Sequence, residues 1–243
     1  MSLLDVQAVR KNFGGLRALD DFSFSVEPGE IVGLMGANGA GKTTLFSVIA
    51  GHVKADQGIV NFKDTKINHL SPHKICRAGI ARTFQIVRPF GGMTVRENVE
   101  TGIIFGSSSR LTPLALEELT DTILQNVNLN NMADKLASTL TLSDRKRLEV
   151  ARALGTGPEL LLLDEVMAGL TPFEVEKMIE TIRQVKVRYS LTIIVVEHVV
   201  RALVDLSERL VVLHHGHKIA EGEPDEIANH PAVLEAYFGQ TAS

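Results

Sequence analysis

Hydrophobic positions along the chain follow two patterns, one typical of β-strands and one typical of helices. Short β-rich runs predict strands at residues 3–9, 22–26, 30–36, 58–62, 160–165, 192–197 and 210–215. The runs 30–36, 160–165 and 192–197 are almost continuously apolar, which is typical of parallel strands buried on both faces. The more polar runs near the N-terminus instead predict an antiparallel sheet with one face in water.

Helical periodicity separates the buried runs. In the clearest case, apolar residues recur at helical spacing from Val175 to Val185. Its start is marked by Thr171 as the expected N-cap, Pro172 at the first helical position and Glu174 at the third. Helices between buried parallel strands predict an α/β core with crossover helices.

The middle of the chain has a different pattern. Residues 88–150 show helical periodicity without a convincing strand, and the SSSR run at 107–110 is typical of an exposed loop. We expect one domain, 1–243, in which 1–87 and 151–243 form the α/β core with an antiparallel β subdomain. Residues 88–150 are then an inserted helical subdomain.

Composition narrows the class of protein. The chain has 243 residues, enough for a substantial core, and a net charge of −4 gives no electrostatic reason to expect nucleic-acid binding. A single cysteine permits no intramolecular disulfide and is typical of a reducing compartment. No apolar run approaches the roughly 20 residues of a membrane span, and no export signal is evident. We expect a cytosolic protein that reaches a membrane only through a partner.

The first candidate site is a glycine-rich run, GANGAGKTT at 36–44, which follows a buried strand and precedes a helical pattern. Its glycines let the backbone curl so that successive N–H groups point at a phosphate. The alternative is a glycine-rich turn without function, but the strand–loop–helix context favours a phosphate loop. The predicted nucleotide-binding residues are Gly36, Ala37, Asn38, Gly39, Ala40, Gly41, Lys42, Thr43 and Thr44. Lys42 supplies a charge for the β and γ oxygens, and the Thr43 hydroxyl is a candidate Mg²⁺ ligand.

The second candidate site is a pair of carboxylates, Asp164 and Glu165, at the end of the buried run 160–165. Carboxylates there are costly unless they face a site. In a phosphate-loop protein, Asp164 would hold Mg²⁺ through water, and Glu165 would orient or deprotonate the attacking water.

Further polar or aromatic residues stand where they can serve the same chemistry. His198 follows the buried run 192–197 and can hydrogen-bond a γ-phosphate, although a lone histidine after a strand is more often a surface residue. Gln85, directly before the helical insertion, can reach both Mg²⁺ and the water. Phe13 lies in a glycine-bearing polar run and is either a core aromatic or a platform for adenine.

In this order, these elements resemble the nucleotide-binding subunit of ATP-binding cassette (ABC) transporters over essentially the whole chain. The matching elements are an aromatic loop at Phe13, Walker A at 36–44, the Q-loop at Gln85, a signature region at 140–144, Walker B at 160–164, Glu165 and the switch residue His198. The resemblance implies catalytic roles for Glu165, His198, Lys42 and Gln85, with ATP as nucleotide. It also implies that Thr43, Gln85 and Asp164 hold Mg²⁺.

A narrower likeness concerns the branched-chain amino-acid importer ATPases of the LivG type. The residues that carry it are 82–99, 147–154, 164–172 and 235–239. It implies two ATPases packed head to tail. The signature region, described next, favours a different, LivF-like subunit as the second, and a homodimer stays open. The likeness also implies two transmembrane permease subunits, an associated substrate-binding protein, no nucleic acid, and a place on the inner face of the cell membrane.

The signature region departs from the family pattern. The usual LSGGQ falls on LTLSD at 140–144, where Thr141 and Ser143 would contact ATP across the dimer. Leu142 and Ser143 stand in place of glycines, and Asp144 puts a negative charge near a polyanion. Either this loop serves the partner's ATP poorly, which favours an unlike partner, or the branch tolerates variants there. At the position of Thr171 the family more often has an aspartate that acts across the dimer. Thr171 therefore either weakens communication between the two subunits or serves only as the helix cap, and both interpretations stay open.

Alternative interpretations concern a metal site and the function of the protein. His214, His215 and His217 lie around Gly216, which favours a hairpin turn over a metal site. As to function, a soluble ABC-type ATPase that remodels a cytosolic assembly, for example in iron–sulfur assembly, is the alternative to an importer subunit. A purely regulatory nucleotide-binding module is disfavoured by the presence of Lys42, Glu165 and His198.

Overall fold

The computed structural model describes residues 2–83, 89–106 and 111–238. These residues divide into two compact units, one drawn from Met1–Ile75 and Thr192–Ser243 and the other from Cys76–Leu191. No helix in the described ranges is both long enough and apolar enough to span a bilayer.

The described residues form both strands and helices. The strands are Leu4–Phe13 (β1), Leu16–Val26 (β2), Ile31–Met35 (β3), Gln57–Phe62 (β4), Thr65–Lys66 (β5), Ile80–Arg82 (β6), Leu160–Asp164 (β7), Thr192–Val196 (β8), Arg209–His214 (β9) and His217–Gly222 (β10). The α-helices are Lys42–Ile49 (α1), Pro72–Ala78 (α2), Val95–Gly106 (α3), Pro113–Asn126 (α4), Leu142–Gly155 (α5), Pro172–Tyr189 (α6), Val200–Leu206 (α7), Pro224–Ala228 (α8) and Pro231–Phe238 (α9). This mixture of parallel and antiparallel sheet with helices is the α/β class that the sequence predicts.

The first unit contains an antiparallel sheet in the order β2-β1-β4-β5. Leu4 of β1 lies opposite Val26 on one side and opposite Phe62 on the other. Burial alternates along the strands, so apolar side chains cover one face and polar side chains meet water on the other. The predicted antiparallel sheet with a wet face is confirmed.

The first unit also contains the strands β10, β9, β3 and β8, in that order. Strand β3 runs parallel to both β8 and β9, and every residue of β3 and β8 is buried, as their unbroken apolar runs predict. β9 and β10 form an antiparallel hairpin whose turn has positive φ at His215 and Gly216. Positive φ at both central positions is the geometry of a two-residue hairpin, so the predicted turn at Gly216 is confirmed.

The second unit combines the parallel pair β6–β7 with helices α3, α4, α5 and α6. Helices α3 and α5 approach each other closely at two glycines of α3. A Cβ on Gly102 would lie 2.4 Å from the carbonyl oxygen of Arg152, and one on Gly106 would lie 2.3 Å from Cα of Thr156. Helices fill much of the described part of 88–150, and the division at 88 and 150 stays a prediction, since this unit also includes β6, β7 and α6.

Helix α6 starts as its sequence predicts. The Thr171 hydroxyl accepts a hydrogen bond from the Glu174 N–H, and the Glu174 carboxylate accepts from the Thr171 N–H at 2.9 Å and hydroxyl at 2.8 Å. The hydrogen bonds that the Thr171 N–H and hydroxyl donate both lower the pKa of Glu174, and the N–H has the larger effect. This reciprocal capping box satisfies donors that the first helical turn leaves open.

Helix α5 begins within the signature region that the sequence analysis treats as a loop. Thr141 is its N-cap and accepts a hydrogen bond from the N–H of Asp144, so residues 142–144 form the first helical turn. The prediction that 141–144 form a loop is therefore wrong. The reason is that threonine is a favourable N-cap, and its hydroxyl here accepts the Asp144 N–H. Strands β1 and β2 also extend further than predicted, β5, β6 and β10 are additional, and 107–110 lies outside the described residues.

Replacing Thr171 with alanine removes the acceptor for the Glu174 N–H and should lower the free energy of unfolding by about 1 kcal/mol. Urea unfolding followed by far-UV circular dichroism measures this change. A matched control is Thr122→Ala in α4, where the threonine hydroxyl only donates to the Glu118 carbonyl of its own helix. Since alanine is the better helix former, the control should be neutral or slightly stabilising. Equal losses in both variants would contradict the capping role.

The same box predicts a pH dependence. Because the folded-state pKa of Glu174 is depressed, its charged form stabilises the folded protein above the ordinary glutamate pKa, and that contribution disappears as pH falls through the depressed value. The stability advantage of the wild type over Glu174→Gln should therefore be largest near neutral pH and shrink on acidification. Urea unfolding midpoints of both proteins across pH 3–7 test this; an advantage that grows on acidification would contradict it.

Candidate functional site

The phosphate loop occupies the turn between β3 and α1 in the first unit. Met35 ends the strand and Lys42 begins the helix, whose N-cap, Gly41, offers no side-chain hydrogen bond to the first turn. The first N–H groups of a helix have no acceptor within the helix, and they carry its positive dipole end. An uncapped helix start after a buried strand is therefore a site for an anion such as phosphate.

Two glycines of this loop are required by its geometry. Gly41 has φ +114, and a Cβ there would lie 2.5 Å from the carbonyl oxygen of Ala18. A Cβ on Gly36 would lie 2.5 Å from the carbonyl oxygen of Leu213. Either clash would push the loop away from the strands that support it. The loop is thus shaped by backbone approach that only glycine allows.

Lys42 is buried and folds back over its own loop. Its ammonium donates to the carbonyl oxygens of Gly36 at 2.5 Å and Ala37 at 3.1 Å. Thr43, next in the chain, is exposed, and Thr44 is partly exposed. The charge of Lys42 is therefore held at the loop, where a phosphate oxygen can replace the carbonyls as its hydrogen-bond partner.

The first unit also positions the two other predicted nucleotide contacts. Phe13 ends β1 with 47% of its side chain exposed, and the Lys11 ammonium lies 5.3 Å from its ring centroid. A core role for Phe13 is thereby excluded, and an exposed ring remains to stack on a base. His198 is exposed just after β8. Gln85 lies outside the described residues.

Asp164, in the second unit, ends β7 with only 1% of its surface exposed. Arg82 of the neighbouring strand β6 donates to its Oδ2 at 2.7 Å, and the Asp164 N–H donates to the Thr83 hydroxyl at 3.0 Å. The other carboxylate oxygen, Oδ1, has no hydrogen-bond partner among the described residues. A buried, unpartnered carboxylate oxygen fits a hard cation such as Mg²⁺, for which carboxylate and hydroxyl oxygens are suitable ligands.

Glu165 follows Asp164 in an unusual conformation. It is 7% exposed and has φ +53, which is rare for a residue with a side chain. Its carbonyl oxygen accepts hydrogen bonds from the Lys146 ammonium at 2.7 Å and the Ala168 N–H at 3.3 Å. The backbone thus leaves the strand direction directly after β7 and is held in its new direction from outside the strand.

The signature residues lie on the first turn of α5, also in the second unit. The Thr141 hydroxyl accepts from the Asp144 N–H and donates to the Asp144 carboxylate at 2.7 Å, while Arg147 donates to that carboxylate at 2.7 Å. Ser143 is buried and Leu142 is exposed. The negative charge of Asp144 is therefore neutralised within its own helix, which the sequence analysis did not anticipate.

Three basic residues of the second unit were missed by sequence analysis: Arg82, Lys146 and Arg147. The signal for Arg82 was a charged residue in the otherwise apolar run that forms β6. Lys146 and Arg147 were hidden in a charged stretch that looks like the solvated face of a helix, although Lys146 is only 3% exposed. Only the fold shows that these side chains support the acid pair and the signature turn.

Comparisons with known proteins agree with this geometry. Residues 19–168 match the family model described as ABC transporter, and residues 217–243 match the one described as branched-chain amino acid ATP-binding cassette transporter. The LivG protein of Escherichia coli K12, a high-affinity branched-chain amino acid transport ATP-binding protein, is 38% identical over 98% of each chain. The LptB protein of Haemophilus influenzae, a lipopolysaccharide export system ATP-binding protein, is 33% identical over 99% of this chain and 98% of its own.

A solved structure gives the same fold. MJ1267, an ATP-binding cassette of an ABC transporter in its ADP conformation, is similar with a TM-score of 0.86 and 32% identity over 99% of this chain and all of the other. With the family match over more than half the chain and full-length relatives above 30% identity, the chain belongs to the ABC transporter family and is one of its ATP-hydrolysing ATP-binding subunits.

Proposed function

We propose that this chain is the ATPase subunit of a membrane importer for branched-chain or related amino acids. The observation that carries the proposal is the match of residues 217–243 to the branched-chain amino acid cassette model, beside 38% identity to LivG over nearly the whole chain. The lipopolysaccharide export protein is a relative too, at 33% identity, so substrate does not follow from the family alone. The match at 217–243 is what favours amino-acid import.

ATP binding is assigned to the first unit. The exposed ring of Phe13 stacks on adenine, and the open N–H groups at the start of α1 receive the phosphates. Lys42 exchanges the carbonyls of Gly36 and Ala37 for the β and γ oxygens. The γ-phosphate also receives a hydrogen bond from His198.

Hydrolysis is assigned mainly to the acid pair. Thr43, Gln85 and Asp164 hold Mg²⁺, with the buried Oδ1 of Asp164 as the carboxylate oxygen that is open to it. When bound, Mg²⁺ neutralises charge on the β- and γ-phosphate oxygens. Glu165 accepts a proton from the attacking water, which Gln85 helps to orient.

The partners follow from the family and the signature turn. A second ATPase subunit packs head to tail on this one, and Thr141 and Ser143 face its ATP. In the structure the Thr141 hydroxyl already donates its proton to Asp144, which leaves the N–H groups of the first turn of α5 as the phosphate donors. This supports an unlike, LivF-like partner. Two permease subunits hold the pair at the inner face of the membrane and work with a substrate-binding protein.

Two substitutions separate ATP binding from hydrolysis. Lys42→Ala removes a charge-assisted phosphate contact and should weaken ATP binding at least about tenfold. Glu165→Gln leaves the phosphate loop intact, so it should bind ATP normally but hydrolyse it about 100-fold more slowly or worse. A fluorescent ATP analogue and phosphate release, measured on the complex purified through a tag on this subunit, report the two steps. Glu176→Gln, an exposed glutamate of α6, is the control and should be neutral. Normal turnover in Glu165→Gln would refute the assigned base.

Substrate is tested in cells. Deleting the gene for this chain should abolish high-affinity uptake of radiolabelled leucine, isoleucine or valine, and the wild-type gene should restore it while Glu165→Gln should not. Unchanged uptake together with lost lipopolysaccharide export would favour the exporter. Unchanged uptake, with the tagged chain recovered free of any membrane complex, would favour the soluble ATPase that remodels a cytosolic assembly.

A further inference from the structure

Lys146 is a buried cation with no role in the proposed chemistry. It lies on α5 with 3% of its surface exposed, and its ammonium donates at 2.7 Å to the carbonyl oxygen of Glu165. Removing an ammonium from water is unfavourable unless a specific interaction compensates. A methionine, which is nearly as long and also unbranched, would fill most of the same space without that cost. Packing alone therefore does not account for a lysine here.

The peptide that receives this hydrogen bond is the one that needs external support. Glu165 has φ +53, a conformation that is unfavourable for a residue with a Cβ and persists only where the surroundings enforce it. The carbonyl oxygen of Glu165 is fixed from two sides, by the Ala168 N–H of the following turn and by the Lys146 ammonium of α5. Of these two, the ammonium is the charged donor and makes the shorter bond, so it is the stronger restraint.

The donor follows a helix start that several side-chain hydrogen bonds stabilise. Thr141 caps α5, its hydroxyl donates to the Asp144 carboxylate, and Arg147 donates to the same carboxylate. Side-chain hydrogen bonds therefore tie together the first turn of α5, directly before Lys146. A rigid helix that holds a strained peptide sets the direction in which the next side chain leaves the backbone. That side chain is the carboxylate of Glu165.

We propose that Lys146 is a positioning residue for hydrolysis: its bond to the Glu165 carbonyl fixes the peptide from which the Glu165 carboxylate reaches the attacking water. The inference rests on the proposed role of Glu165 as the base. Lys146 is buried and donates to the Glu165 carbonyl, so the proposal places its effect on turnover and not on ATP affinity. A displacement of a catalytic group by about 1 Å is enough to cost on the order of 100-fold in rate.

The test compares variants in the membrane complex purified through a tag on this subunit. Lys146→Met removes the ammonium and keeps an unbranched chain one atom shorter; its kcat for ATP should fall at least about tenfold with a KM within about threefold of wild type. Lys146→Arg keeps a charged donor and should recover most of the rate. Lys177→Met is the matched control, because Lys177 is an exposed lysine of α6 in the same unit, and it should be neutral. If Lys146→Met does not fold, Lys146→Leu takes its place, since leucine also carries no hydrogen-bond donor.

Thermal unfolding separates positioning from a structural role. Positioning predicts a lower kcat even at temperatures well below the unfolding midpoint of the variant, where all of the protein is folded. A kcat within twofold of wild type, or a loss of rate that follows only from partial unfolding, overturns the proposal. Glu165→Gln in the same assay keeps the two hypotheses apart. If that variant hydrolyses ATP normally, the assignment of the base has failed; if it is inactive while Lys146→Met is normal, only the role of Lys146 has failed.

Discussion

The second unit depends on one constraint, the burial of two carboxylates at the end of β7. Two carboxylates in succession, Asp164 and Glu165, are almost completely removed from water there, at 1% and 7% exposure. Burying such groups is unfavourable unless charges and hydrogen bonds compensate. Arg82 supplies this compensation for the Asp164 carboxylate. The backbone is held as well, because the Thr83 hydroxyl accepts from the Asp164 N–H and Lys146 of α5 donates to the Glu165 carbonyl. One acidic dipeptide thus explains why basic and polar residues on separate elements are buried.

The first unit has to stabilise the negative charge of a ligand, and it does so with backbone groups instead of side chains. Its phosphate loop gathers N–H groups at an uncapped helix start, and the only cation of the loop, Lys42, bonds to carbonyls of the same loop. Glycine at positions 36 and 41 lets that backbone pack against neighbouring carbonyls. The loop therefore offers a polyanion positive partial charges that need no rearrangement of side chains other than Lys42.

The sequence predicts those parts of the fold that are determined by interactions between residues a few positions apart. The capping box of α6 spans Thr171 to Glu174, and the hairpin turn needs only Gly216 and its neighbours, so both are visible in the chain as printed. The phosphate loop and the acid pair are similarly local, because buried runs precede each. By contrast, Arg82 meets Asp164 across 82 positions and Lys146 meets Glu165 across 19. Such contacts depend on which strands pair and on how a helix is rotated, and no local pattern contains that information.

The start of α5 shows how far a local departure from a family pattern can mislead. Leucine and serine in place of glycines look like a loss of backbone freedom, yet residues 142 and 143 are helical, a conformation that every residue with a side chain adopts. Asp144 looks like an unpaired charge, yet Arg147 and the Thr141 hydroxyl bind its carboxylate. The remaining differences from the family pattern are in side-chain chemistry. The Thr141 hydroxyl is engaged within its own helix, and an exposed leucine side chain stands beside the N–H groups. A partner's nucleotide would therefore meet a helix start that offers backbone donors and an apolar rim, so any asymmetry between the two ATP sites would arise from these two features and not from backbone geometry or net charge.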